Sequence, residues 1–218
     1  MATVGGVDRR PEWCATPPRS SDWHTRLMNE HTEPDLDHDD ARDAAVAAYW
    51  ATARKRAGLN RLDVVVGQQA LGAVQPPAWS FGSDAEEADS LLELVLAGRK
   101  TATASAEGPY SSQGVPVPAP GDLSIILDGA GRPRALIVTT EVDVRPFREV
   151  DEEHAAAEGE GDLSLDHWRR VHEPFFTAEL TEVGLPFDAD APVVLERFRL
   201  LDPKPRGHHE DVHAPVTT

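Results

Sequence analysis

The sequence predicts an α+β fold from three observations. A capped amphipathic helix spans residues 83–98, a strand pair with alternating apolar residues spans 122–144, and helical segments at 151–158 and 164–183 precede a last apolar strand at 193–201. A few strands with helices set apart from them, rather than a regular βαβ alternation, is the pattern of that class. The 218 residues suit one ordinary domain with tails.

Residues 1–39 are rich in Pro, Arg, Asp, Glu, Ser and His, lack sustained periodicity, and read as a disordered extension. The ordered domain is expected over 40–202. Its first helix is expected over 40–57, where Ala44, Ala45, Ala48, Tyr49 and Ala53 recur at helical spacing and Gly58 supplies the stop. Residues 62–66 form a short β-branched run, followed by a loop through Gly67, Gly72, Pro76 and Pro77. Ser83-Asp84-Ala85-Glu86 has the form of a capping box. Ala88, Leu91, Leu92, Val95 and Leu96 then trace an apolar face, and Gly98 ends the helix. Leu123, Ile125 and Leu127 alternate along a strand, and Asp128-Gly129-Ala130-Gly131 turns the chain into a second strand over 135–144. Apolar residues on both faces of that second strand fit a closed or sandwiched sheet. On the long helix, Trp168, Val171, Phe175 and Leu180 are the apolar marks, while His167 and His172 read as surface or boundary residues. Residues 203–218, with His208, His209 and His213, read as a disordered, solvated tail rather than a metal site.

Composition narrows the function. No window approaches the roughly 18 uncharged apolar residues of a membrane span, and residues 1–20 have no apolar core of a secretory signal, so neither a membrane nor export is expected. A single cysteine, Cys14, excludes an internal disulfide and a cysteine-based zinc site, and fits the cytoplasm. Basic residues number 21 against 38 acidic ones, and the excess is concentrated in 79–202, which has 10 basic and 25 acidic residues. An acidic body repels a polyphosphate chain, so duplex DNA is not an expected partner.

Walker, G-x-G-x-x-G, H-E-x-x-H, C-x-x-C and G-x-S-x-G signatures are all missing. The main candidate is Gly98-Arg99-Lys100-Thr101-Ala102-Thr103. If the helix continues or a tight turn follows, Lys100 and Thr103, three apart, face the same space. A threonine hydroxyl needs a base to become a nucleophile, and a lysine serves only if desolvation or a neighbouring cation such as Arg99 depresses its pKa. On residues alone, the plainer reading is a helix end whose cations complement the dipole. His154 and Glu158 share a helix face at i, i+4, as an acid–base pair or half a metal site would, but no third ligand is identifiable. An exposed acidic helix ended by Gly159 is the plainer reading there. Trp79 and Phe81 can stack on a base or simply pack the core. Tyr110, in a polar loop without periodic partners, can line a pocket or simply decorate the loop.

In combination, Trp79-Ser80-Phe81-Gly82, the helix into the G-x-K-x-x-T element at 98–103, Gly121-Asp122, Thr139-Thr140-Glu141-Val142 and Glu153-His154-Ala155 through Gly159-Glu160-Gly161 resemble the ASCH domain family. The resemblance covers about residues 46–202 and is closest to a bacterial, cytoplasmic branch. It implies a PUA-like β-barrel with surrounding helices and a cleft beside the G-x-K-x-x-T turn. Family members are associated with RNA: some are proposed to bind it, some to cleave it, and small ones deacylate N4-acetylcytidine with a Lys, a Thr and a Glu. Matched by motif, those three fall on Lys100, Thr103 and Glu158.

The resemblance thus implies a metal-independent amidohydrolase, without a cofactor, acting on an N-acylated nucleoside or base. Lys100 is the expected base, Thr103 the nucleophile or oxyanion partner, and Glu158 the group that handles the leaving-group proton. Trp79, Phe81, Arg99, Ser105, Tyr110 and His154 are the expected substrate-binding residues. Many members continue the motif as T-x-R, whereas Thr103 is followed here by Ala104 and Ser105, which removes a planar fork for phosphate or carbonyl. The rival reading is an RNA-binding or RNA-processing module, in which Lys100 contacts phosphate and Trp79 or Tyr110 stacks on a base of short single-stranded RNA. Ribonuclease action ranks below both because of the acidic body.

Overall fold

The computed structural model describes residues 36–59 and 74–203. Residues 1–35 of the extension, the β-branched run at 62–66 and the tail from 204 lie outside the described residues.

A mixed α+β domain is built on one five-stranded sheet. Helix α1 (Leu36–Arg56) is followed by β1 (Ala78–Trp79), α2 (Ala85–Leu96), β2 (Ala102–Ala106), the short α3 (Gly108–Gln113), β3 (Leu123–Leu127) and β4 (Pro133–Pro146). Then come a 3-10 turn (Phe147–Glu149), α4 (Glu152–Glu158), α5 (Leu165–Glu182) and β5 (Pro192–Asp202). The strand order is β1-β3-β4-β5-β2, antiparallel except where β1 runs parallel to β3.

The sheet is not closed into a barrel, which corrects the expected architecture: β1 and β2 are opposite edges and do not pair. Two residues of β1 are too few for a closing ladder. The segment at 115–118 alternates Val115 and Val117 with Pro116 and Pro118, and prolines cannot donate to a ladder. The apolar faces of β4 are instead covered by helices, the sandwiched alternative. Leu136 packs with Leu123, Ile125 and Leu127 against α1, while Ala135 and Ile137 pack with Ile126, Phe198 and Leu200 against α2. Across β2 and β5, Ala104, Ala106, Val193 and Leu195 meet Phe147, Ala155, Trp168, Phe176 and Leu180 of the 3-10 turn, α4 and α5.

Two local expectations shift. The buried stripe of α1 is Val46, Trp50 and Ala53, whereas Ala44, Ala45 and Ala48 are exposed. Alanine at helical spacing supports a helix but has little apolar area to bury, so the bulkier side chains set the face. The N-cap of α2 is Asp84, whose Oδ1 accepts from the amides of Glu86 and Glu87 at 2.9 Å. Ser83, one residue earlier, donates its amide and hydroxyl to Glu87 Oε2.

Candidate functional site

Gly98, at φ +70, ends the turn after α2, and the chain from Ala102 is β-strand. Strand geometry has a period of two, so the helical i, i+3 relation between Lys100 and Thr103 does not apply. Each residue goes to a different place.

Lys100 turns inward and is 2% exposed. Its Nζ donates to Glu158 Oε2 at 2.7 Å and to Glu160 Oε1 at 2.6 Å, and stands 5.3 Å from the Phe81 ring centroid. The backbone makes this meeting possible. Thr101 N donates to Ala157 O at 2.8 Å, stitching the G-x-K-x-x-T turn to the end of α4. Gly159 then turns at φ +74, and a Cβ there would lie 2.5 Å from Arg99 O. Glycine alone permits both the left-handed turn and the close approach.

Glu158 is fully enclosed, and its second oxygen is equally engaged. Oε1 accepts from Trp168 Nε1 at 2.7 Å, lies 3.1 Å from His154 Nε2 and 3.6 Å from His172 Nε2. Burial opposes charge on this carboxyl, but Lys100, His154 and His172 outweigh it and hold Glu158 well below the usual glutamate range. Burial likewise opposes charge on Lys100, yet Glu158 and Glu160 hold its ammonium above the ordinary lysine value. His172 Nδ1 faces Trp168 O at 3.0 Å, an oxygen that only accepts, while Nε2 faces the carboxylate. Burial resists a charged ring, but Glu158 raises the His172 pKa above its ordinary value.

Thr103 belongs to a second feature, a cavity of about 310 Å³ on the sheet face opposite α4 and α5. Trp79, Tyr110 and Phe198 supply its aromatic wall, Thr103, Ser124 and Thr139 its hydroxyls, and Asp122 and Glu196 its carboxyls. Neither Lys100 nor Glu158 is part of the wall. The two features touch through aromatic rings: Phe81, beneath the Lys100 ammonium, stacks on Phe198 at 6.0 Å and meets Trp79 edge-on at 4.6 Å.

A family model described as the ASCH domain matches residues 77–202. The chain belongs to the ASCH domain family. Two solved structures support the assignment. The ASCH domain of Lactobacillus crispatus is 31% identical, with a TM-score of 0.56, over 67% of this chain and 94% of that one. A protein of Enterococcus faecalis is 33% identical, with a TM-score of 0.57, over 76% of this chain and 99% of that one. No curated protein matches the chain.

In this ASCH domain, Lys100, Glu158 and His154 come together in the buried network, and Thr103, Trp79 and Tyr110 in the cavity. Phe81 is a core residue, 4% exposed, and Arg99 is exposed, away from both features. Ser105 is buried, with its hydroxyl 3.2 Å from the Tyr110 hydroxyl, so it braces the cavity's aromatic wall from within the strand. The 154–158 face is buried rather than an exposed acidic surface, because α4 docks under α5 and on β2. His172 is likewise buried, not a surface or boundary residue. It lies on the inward stripe Trp168, His172, Phe176 and Leu180, whose spacing of four was a readable signal. Glu160, Trp168, Thr139 and Glu196 were also missed. Glu196 had a signal of its own, a charge at the parity of Val194, Phe198 and Leu200. Among the described residues, no group of three or more His, Cys, Asp or Glu is arranged to hold a metal ion, and no helix is long and apolar enough to cross a membrane.

Proposed function

We propose that this ASCH domain binds an N-acylated nucleoside or nucleobase of the N4-acetylcytidine kind in the sheet-face cavity and hydrolyses its amide. The carrying observation is the 2.7 Å meeting of Lys100 and Glu158, from distant segments, at the base of the strand that presents Thr103 to an aromatic-walled cavity. The cavity volume, about 310 Å³, lies at the small end of ligand sites, which run to roughly 300–1,000 Å³.

Thr103 is the group that faces substrate, as nucleophile or as oxyanion donor. Glu158 and Glu160 hold Lys100 as an ammonium at rest, and neither Lys100 nor Glu158 lines the cavity, so in this reading the pair acts by fixing the base of the strand that carries Thr103. Glu158 holds that ammonium in place, and the proton lost by the attacking oxygen passes to the departing nitrogen through a carboxyl of the cavity wall or water. The net reaction consumes one water, breaks the C–N bond, and releases a carboxylic acid and an amine. Among the described residues, the cavity wall contains Asp122 and Glu196 but no lysine or arginine, which favours an uncharged small ligand over an RNA strand.

Turnover of N4-acetylcytidine by the wild-type protein is the test, beside Thr103→Val, Lys100→Met and Glu158→Gln. Each variant, checked for folding by its thermal transition, is expected to lose about 10²-fold or more in kcat. Turnover that survives all three substitutions contradicts the assignment. Salt-dependent binding of single-stranded RNA without any product supports the rival reading instead.

A further inference from the structure

Glu196 occupies the β5 position across from Thr103 of β2 and Val142 of β4, in the wall of the cavity. Its Oε2 accepts the Thr139 hydroxyl at 3.1 Å. Its other oxygen, Oε1, makes no hydrogen bond to any described residue, and none of the ion pairs among the described residues involves Glu196. The ionisable neighbours in the wall are Asp122, whose Oδ2 accepts from Ala119 N at 2.8 Å, and Tyr110, whose pKa is raised by burial. Among the described residues, no cation faces the group. Burial, with a further push from Asp122 against the Thr139 hydrogen bond, brings the Glu196 carboxyl up to about 7.

Glu196 is half-buried in the wall, and an oxygen unpaired with any described residue is open to a donor that enters the cavity. Nothing in the described wall provides that donor. Whether ionised or protonated, the carboxyl keeps an oxygen able to accept an N–H.

We propose that Glu196 is the specificity-determining residue of this cavity, accepting a hydrogen bond from the exocyclic amine or amide N–H of a heterocyclic ligand held among Trp79, Tyr110 and Phe198. The inference rests on the cavity being the nucleoside site and adds what that site selects. An exocyclic N–H is present both in an N4-acylated cytosine and in its deacylated product, so one contact serves substrate and product alike.

The test is calorimetric binding of cytidine, which cannot turn over, against N4,N4-dimethylcytidine, which has the same ring without the N–H. The wild-type protein is expected to bind cytidine about ten-fold or more tightly than the dimethyl compound. Glu196→Leu is expected to lose that preference, and Glu196→Gln, which keeps an acceptor oxygen, to retain most of it. Equal wild-type affinity for the two nucleosides, or an undiminished preference in Glu196→Leu, overturns the role of Glu196 while leaving the cavity as the nucleoside site. Failure of the wild-type protein to bind cytidine overturns both. Selective cytidine binding without hydrolysis of N4-acetylcytidine supports Glu196 and contradicts only the hydrolytic reading.

Discussion

Lys100 and Glu158 show how a residue's chemistry depends on what surrounds it. Each is almost completely withdrawn from water, and the charge of each is compensated there first by the other. The Glu158 carboxyl titrates below its ordinary value, so its contribution to stability is present above the unfolded pKa and lost as pH falls through the folded one. The Lys100 ammonium titrates above its ordinary value, so its contribution is present below the unfolded pKa and lost as pH rises through the folded one. Breaking the pair from one side strands a buried charge. Glu158→Gln and Lys100→Met are each expected to lower unfolding free energy by about 3–5 kcal/mol. The double variant should be destabilised by clearly less than the sum. Urea denaturation of the four proteins checks this, and additive losses would mean that the two groups do not sense each other. The pairing was legible only through family resemblance, because 58 residues separate the partners and no local pattern joins them.

At the scale of elements, the decisive contact is between two turns rather than two helices. The end of α4 and the G-x-K-x-x-T turn meet backbone to backbone at Thr101 and Ala157, with Gly159 allowing the approach. Gly159→Ala forces a Cβ into Arg99 O in addition to a left-handed conformation that costs a non-glycine residue about 1–2 kcal/mol. It is therefore expected to destabilise the fold by more than that figure and to disturb the indole hydrogen bond of Trp168. Unfolding curves together with the Trp168 indole N–H signal in NMR spectra check it; an unchanged signal would show that the turns are not what aligns the network. The helices and strands themselves were legible from periodicity and end signals. Asp128 confirms the expected hairpin: it accepts from the amides of Ala130 and Arg132 and pairs with the side chains of Arg132 and Arg134. Less legible was which face of α1 is inward, since many alanines gave the helix its period while Val46 and Trp50 gave it its packing.

For the molecule as a whole, the sheet's openness was the property that local patterns could not supply. Apolar residues on both faces of β4 are equally consistent with closure and with burial between helices, and only the pairing of edges distinguishes them. The open sheet leaves a carboxyl-bearing cavity on one face and, behind the other, Glu179 of α5, which accepts from Ala106 N. Burial raises Glu179 and Glu196 to about 7 from an ordinary 4.5, so between those values the folded protein holds protons that the unfolded chain has released. Stability must then fall as pH rises across that window, and the raised pKa of His172 adds to the fall. Tm is expected to be higher at pH 6 than at pH 8, at roughly 2–4 °C per kcal/mol for a domain of this size. A combined Glu179→Gln and Glu196→Gln protein should show a flatter profile, and an equally steep one would place the protons elsewhere.

The cavity as ligand site is the claim on which the functional reading depends, and a crystal soaked with cytidine tests it most directly. The account predicts density for the base among Trp79, Tyr110 and Phe198, with a polar ligand atom within hydrogen-bonding distance of Thr103 Oγ1. Nucleoside density at any other place on the domain, with this cavity holding only solvent, would contradict it.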